Sequence, residues 1–172
     1  LQMNYTPLFY DFPDYITGFV EAFTKNGDFS VIGLEKEHLA HLSIETQEGT
    51  KVVALGGVID RMDIKDSVVR LLDYKTGKDT KKIPSLVSLF DRADKKRNKA
   101  GMQTFLYAFF YQYQHPENLL ALKPGIINIK EIYSEDFNPF LQLEESEVTD
   151  YRDFAAGFEE GLRGLLEEIM DP

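Results

Sequence analysis

Two aspartates and a lysine, Asp60, Asp73 and Lys75, fall close together in a stretch otherwise rich in Val, Ile and Leu. Carboxylates gathered on an apolar face repel each other and lose hydration. A divalent cation is the usual way for such a pair to stay ionised. Mg²⁺ takes oxygen ligands and keeps several waters, so two acids, a backbone carbonyl and substrate phosphate oxygens would suit it. An ammonium beside that cation can orient an attacking water or stabilise charge on a phosphate. The chemistry such a set would do is metal-assisted hydrolysis of a phosphate ester. The fragment Asp73-Tyr74-Lys75 alone is equally an ion pair closing a hairpin, with Thr76-Gly77 as its turn; the second acid shifts the balance towards a metal site.

Whether the two acids meet depends on strand register. Val52 to Ile64 and Val68 to Tyr74 are β-prone, and Lys65-Asp66-Ser67 between them is a turn. A two-residue loop at Asp66-Ser67 sets Lys65 opposite Val68 and Asp60 opposite Asp73. A four-residue loop centred there gives the same register. Directly opposed side chains have Cβ atoms about 4.5–5.5 Å apart. Alternation puts Lys75 on the face of Asp73. That face collects Val58, Asp60, Met62 and Ile64 against Lys75, Asp73, Leu71 and Val69. The other sets Asp63 opposite Arg70, a favourable cross-strand pair. A one-residue slip would break both patterns.

Gly57-x-x-Asp60-Arg61-x-Asp63, then Asp73-Tyr74-Lys75-Thr76-Gly77, then Gln103-x-x-x-Tyr107-Ala108 resembles the RecB/AddB-type branch of the PD-(D/E)xK nuclease superfamily, to which CRISPR spacer-acquisition nucleases are similar. The resemblance runs over roughly positions 30–115, with a weaker match in the C-terminal helix. It implies a restriction-endonuclease-like α/β core, a mixed sheet flanked by helices. It also implies Mg²⁺ or Mn²⁺ held by Asp60, Asp73 and the backbone carbonyl of Tyr74, with Lys75 catalytic and Gln103 and Tyr107 lining the site from a helix. The implied activity is exonuclease-type hydrolysis of DNA phosphodiesters in repair or recombination, with DNA and a helicase subunit or neighbouring domains as partners. The alternative is a catalytically silent nuclease-fold module that binds DNA or a partner subunit. The intact Asp60, Asp73 and Lys75 favour the enzyme.

The chain departs from these relatives at two points. Many carry a histidine on a helix before the first strand; the early helix expected here, Asp14 to Lys25, has none. His38 and His41 read as exposed strand residues. Several relatives hold a four-cysteine iron–sulfur cluster, which a chain without cysteine cannot.

The elements around the hairpin are coarser. Ala100 to Gln114 reads as a helix with the stripe Phe105, Leu106, Phe109, Phe110 and Tyr113, ending at His115 before Pro116. Ser30 to Thr46 reads as one long or two short strands, and Glu35 there matches a position often acidic in relatives or is simply solvated. Ile126 to Tyr133 reads as a strand after Lys123-Pro124-Gly125. Phe137 to Leu143 is a further strand or a packed loop, and Val148 to Met170 a long closing helix.

A chain of 172 residues fits one domain. Its opening Leu1-Gln2 suggests a piece of a larger protein, in its C-terminal region. Absence of cysteine fits a cytoplasmic location, and no apolar run is long enough to span a membrane. The net charge of −10 opposes phosphate binding. Residues 78–99, however, carry eight Lys or Arg against three Asp, a local +5 that leaves −15 on the rest. Lys78, Lys81, Lys82, Lys95, Lys96, Arg97 and Lys99 are the candidate DNA contacts. A solvated, partly disordered loop is the other reading, and the two are compatible.

Overall fold

A computed structural model describes residues 28–170, so the expected helix from Asp14 to Lys25 lies outside the described residues. Three antiparallel strands come first: β1 (Ser30–Thr46), β2 (Gly49–Lys65) and β3 (Val68–Lys75). A short strand β4 (Lys82–Ile83) and a 3-10 turn (Val87–Leu89) lead to helix α1 (Lys99–Gln114). Strand β5 (Ala121–Asn128) returns parallel to β3 and completes a mixed sheet of order β1-β2-β3-β5. Strands β6 (Gln142–Leu143) and β7 (Ser146–Glu147) join β4 in a second small mixed sheet, and helix α2 (Ala155–Met170) closes the fold. The α/β class and the helix-flanked mixed sheet are as the sequence implies.

The β2–β3 hairpin turns on Asp66 and Ser67, whose φ angles of 50° and 60° are left-handed. Two such residues make the turn whose twist matches paired strands. Lys65 pairs with Val68, Asp63 with Arg70 and Arg61 with Leu72, so the offset is the expected one, but the pairing ends there and Asp60 and Asp73 lie just beyond its last rung. Behind the hairpin, Asp63 is fully buried. It accepts from Arg61 Nε at 2.7 Å and from Arg70 Nε at 2.5 Å. The Arg61 guanidinium lies 4.5 Å from the centroid of the Phe29 ring.

Alternation divides the core between the two faces of the sheet. Val69, Leu71 and Ile126 face α1 and α2 and pack with Phe105, Phe109, Phe158 and Leu162. Phe105 anchors that side, its ring centroid 5.4 Å from Phe158 and 5.7 Å from Tyr151. Burial of each large apolar side chain is worth about 1.5–3 kcal/mol. On the other face Leu72, Ile127 and Ile132 pack with Tyr74, Phe137 and Phe140.

Four details differ from the sequence reading. His38 is not exposed but buried, because it shares the inward parity of Ala40, Leu42 and Ile44 on β1. Its Nδ1 lies 2.6 Å from Oε1 of Gln114 at the end of α1, while His41 points outward. Strand β5 begins at Ala121 and runs through Pro124 and Gly125, since eight residues pair with β3 from Val68 onward. Gly125 is required there: a Cβ would sit 2.9 Å from the Pro139 carbonyl oxygen, which also accepts from Ile126 N–H at 2.7 Å. The strand stops at Asn128, and Ile129–Glu131 is a 3-10 turn. Finally, the closing helix starts at Ala155, because the Asp150 carboxylate accepts from the N–H groups of Arg152 and Leu122 and holds a separate turn, Tyr151–Asp153.

Candidate active site

Asp60, Asp73, Lys75, Gln103 and Tyr107 come together between the β2–β3 hairpin and α1. Asp73 and Lys75 lie two apart on β3 and share a face, and the Lys75 Nζ sits 2.7 Å from Asp73 Oδ2. Gln103 and Tyr107 lie one turn apart on α1, the spacing that puts two side chains on one stripe. Lys75 Nζ donates to Gln103 Oε1 at 2.8 Å, and Gln103 Nε2 donates to the Tyr107 hydroxyl at 2.9 Å. That hydroxyl in turn lies 3.2 Å from Asp73 Oδ1 and 3.5 Å from Asp60 Oδ1. The contacts close a ring, Asp73–Lys75–Gln103–Tyr107, with Asp60 at its side. Asp60 is further fixed by the Tyr74 N–H, which donates to its Oδ2 at 2.9 Å.

The electrostatics follow from burial. Asp73 is 1% exposed. Desolvation pushes its carboxyl above the usual carboxylate range; Lys75 and Tyr107 oppose this, and Asp60 adds to it. Tyr107 is held far above an ordinary phenol by burial and by the two carboxylates, so it stays a hydroxyl donor at any working pH.

The donor set fits a hard divalent cation. Asp73 Oδ2 is buried and makes no aligned hydrogen bond among the described residues, and Lys75 Nζ is the cation beside it. A cation beside Asp60 and Asp73 would relieve both the desolvation and the repulsion. Among the described residues no three His, Cys, Asp or Glu side chains cluster. The ligands available are therefore two carboxylates, a backbone carbonyl such as that of Tyr74, water and phosphate, which is the coordination Mg²⁺ favours. Other concavities lie away from these residues. One of about 490 Å³ behind the sheet is lined by Arg70 and Lys123, which are already paired with Asp63 and Glu147.

The basic segment after the hairpin carries local structure. Lys78, Lys82, Lys95, Lys96 and Lys99 are exposed and Arg97 half-buried. Lys81 differs from them, pairing with Glu131 at 2.8 Å and donating to the Asn138 carbonyl at 2.7 Å. Asn98, which the sequence reading did not single out, ties the segment down. Its Nδ2 donates to the Thr80 and Lys82 carbonyls at 2.8 and 3.0 Å, and its Oδ1 accepts from Gly101 N–H at 2.7 Å. An Asn just before a helix is the signal that would have found it.

With this fold and this constellation in place, a comparison with known families gives a match to the PD-(D/E)XK nuclease superfamily over residues 12–172. The chain belongs to that superfamily, with its restriction-endonuclease-like fold. Members generally use divalent metals, and the chain is by that membership a nuclease-type hydrolase. No curated protein matches the chain.

Proposed function

We propose that this chain is an Mg²⁺- or Mn²⁺-dependent deoxyribonuclease of the RecB/AddB type, acting as an exonuclease in DNA repair or recombination. The ring that joins Asp73, Lys75, Gln103 and Tyr107 beside Asp60 carries the reading, because a hairpin-closing ion pair needs neither the helix residues nor a second acid. Asp60, Asp73 and the Tyr74 carbonyl would hold the cation. Bound there, it would polarise a phosphate and lower the pKa of a water. Tyr107 spans the two carboxylates and keeps their spacing without carrying charge. Gln103 presents its carbonyl to Lys75 and so aims the ammonium at the space beside Asp73, where it can orient water or meet charge on a phosphate. Lys78, Lys82, Lys95, Lys96, Arg97 and Lys99 supply phosphate contacts, with Lys81 bracing the segment through Glu131. The acidic remainder suits a module flanked by helicase or other domains that hold more of the DNA.

Titration calorimetry with Mn²⁺ tests this. Binding is expected in the parent chain and a large loss in Asp60→Asn and in Asp73→Asn. Binding untouched by both substitutions would refute the metal site. DNA binding without metal binding or hydrolysis would instead identify a catalytically silent nuclease-fold module.

A further inference from the structure

Arg61 and Tyr74 are the sequence neighbours of Asp60 and Asp73, and strand alternation sends their side chains to the other face of the sheet. There they meet: Arg61 Nη1 donates to the Tyr74 hydroxyl at 3.2 Å. Arg61 is only 5% exposed, so its charge serves the protein interior and cannot grip a DNA phosphate. Its guanidinium is fixed from two further sides, by the buried Asp63 carboxylate and by the Phe29 ring. Tyr74 is the residue between Asp73 and Lys75, and its N–H orients Asp60. One residue thus joins four site functions through its backbone: the amide bonded to Asp60, the carbonyl, and the flanking Asp73 and Lys75.

We propose that Arg61 is a positioning residue for the active site, acting through the Tyr74 hydroxyl to hold the backbone of residue 74 in place for metal binding and hydrolysis. This rests on the nuclease reading. The device calls for arginine: its planar fork serves Asp63 through Nε and Tyr74 through Nη1 at once, which the point charge of a lysine does not do. Ligand-orienting groups behind a metal site commonly matter as much as this, since their loss costs about 10–100-fold in metal affinity or activity.

Tyr74→Phe removes the hydroxyl while keeping the ring, the N–H and the carbonyl. In it, the amide of residue 74 should exchange with solvent about tenfold faster by NMR, while the amides of Val69 and Leu71 keep their protection. Mn²⁺ affinity and kcat on DNA should each fall about tenfold, with KM for DNA unchanged. Arg61→Lys should behave in the same way and fail to rescue. Faster exchange with unchanged kcat and Mn²⁺ affinity would reduce the contact to a structural one and overturn the proposal, as would unaltered exchange at residue 74. A parent chain that neither binds Mn²⁺ nor cleaves DNA would sink the nuclease reading instead. The exchange measurement would then still decide whether Arg61 holds residue 74.

Discussion

Lys75 has two partners of different kinds, a carboxylate and an amide carbonyl. Gln103 would therefore still hold its ammonium in place if a bound cation met the charge of Asp73. Lys75→Ala should keep the circular dichroism spectrum and Mn²⁺ binding yet lose about 10²–10³ in hydrolysis rate, the usual cost of one oriented group. Retained cleavage by that variant would remove Lys75 from the chemistry. A second residue matters for stability alone. His38 donates through Nδ1 to Gln114, which leaves a buried Nε2 with no hydrogen-bond partner among the described residues. Burial accordingly depresses its pKa below the ordinary imidazole value, more than the Gln114 bond raises it. The folded state then binds fewer protons at this site than the unfolded chain does. The stability it confers is full above the unfolded pKa, about 6.5, and is lost as pH falls through the lower folded value. Urea midpoints measured between neutral pH and mildly acid pH should fall in the parent and fall less in His38→Leu.

At the scale of elements, the hairpin was legible because everything that fixes it is local: a short turn, alternating faces and the Asp63–Arg70 pair. Helix α1 was legible for the same reason, its aromatic stripe and the stop at His115 before Pro116 lying within one run of sequence, although the cap at Asn98 was missed. The burial of His38 was not, since it depends on which face of β1 meets the end of α1, a contact across 76 positions. The start of β5 was hidden by Pro124-Gly125, which reads as a break until the approach of Pro139 explains the glycine. The turn itself is not optimal, because Ser67 at a φ of 60° is in a conformation that favours glycine or asparagine. Asp66→Asn with Ser67→Gly should raise the unfolding free energy by about 1 kcal/mol. Gly125→Ala should lower it by about 1–3 kcal/mol through the clash with Pro139. Chemical denaturation of both variants checks the signs.

For the whole molecule, charge is separated along the chain: +5 on residues 78–99 and −15 on the rest. Asn98 links the two ends of that segment, so Lys78 and Lys82 are held near the base of α1, where Lys99 begins the helix. Replacing Lys95, Lys96, Arg97 and Lys99 with Ser should weaken single-stranded DNA binding several-fold at low salt. Each lost phosphate contact should also remove about 0.7 from the slope of log affinity against log salt. Fluorescence anisotropy across a salt series measures both, and Mn²⁺ affinity should stay constant. An unchanged slope would mean that the phosphates are held elsewhere on the chain and that these four side chains are solvated.

The bond from Tyr74 N–H to the Asp60 carboxylate has a consequence for how the hairpin closes. The recorded pairing stops at Arg61 and Leu72. In that register the Tyr74 N–H would next bond the Ile59 carbonyl, but the side chain of Asp60 takes it instead. Asp60 is thus a wedge that keeps the two strands from zipping further. Asp60→Ala removes the wedge along with the charge, and the strands gain freedom to close by one more rung. An inactive alanine variant would therefore mix two losses. Asp60→Asn, whose amide oxygen can still accept the Tyr74 N–H, separates charge from spacing.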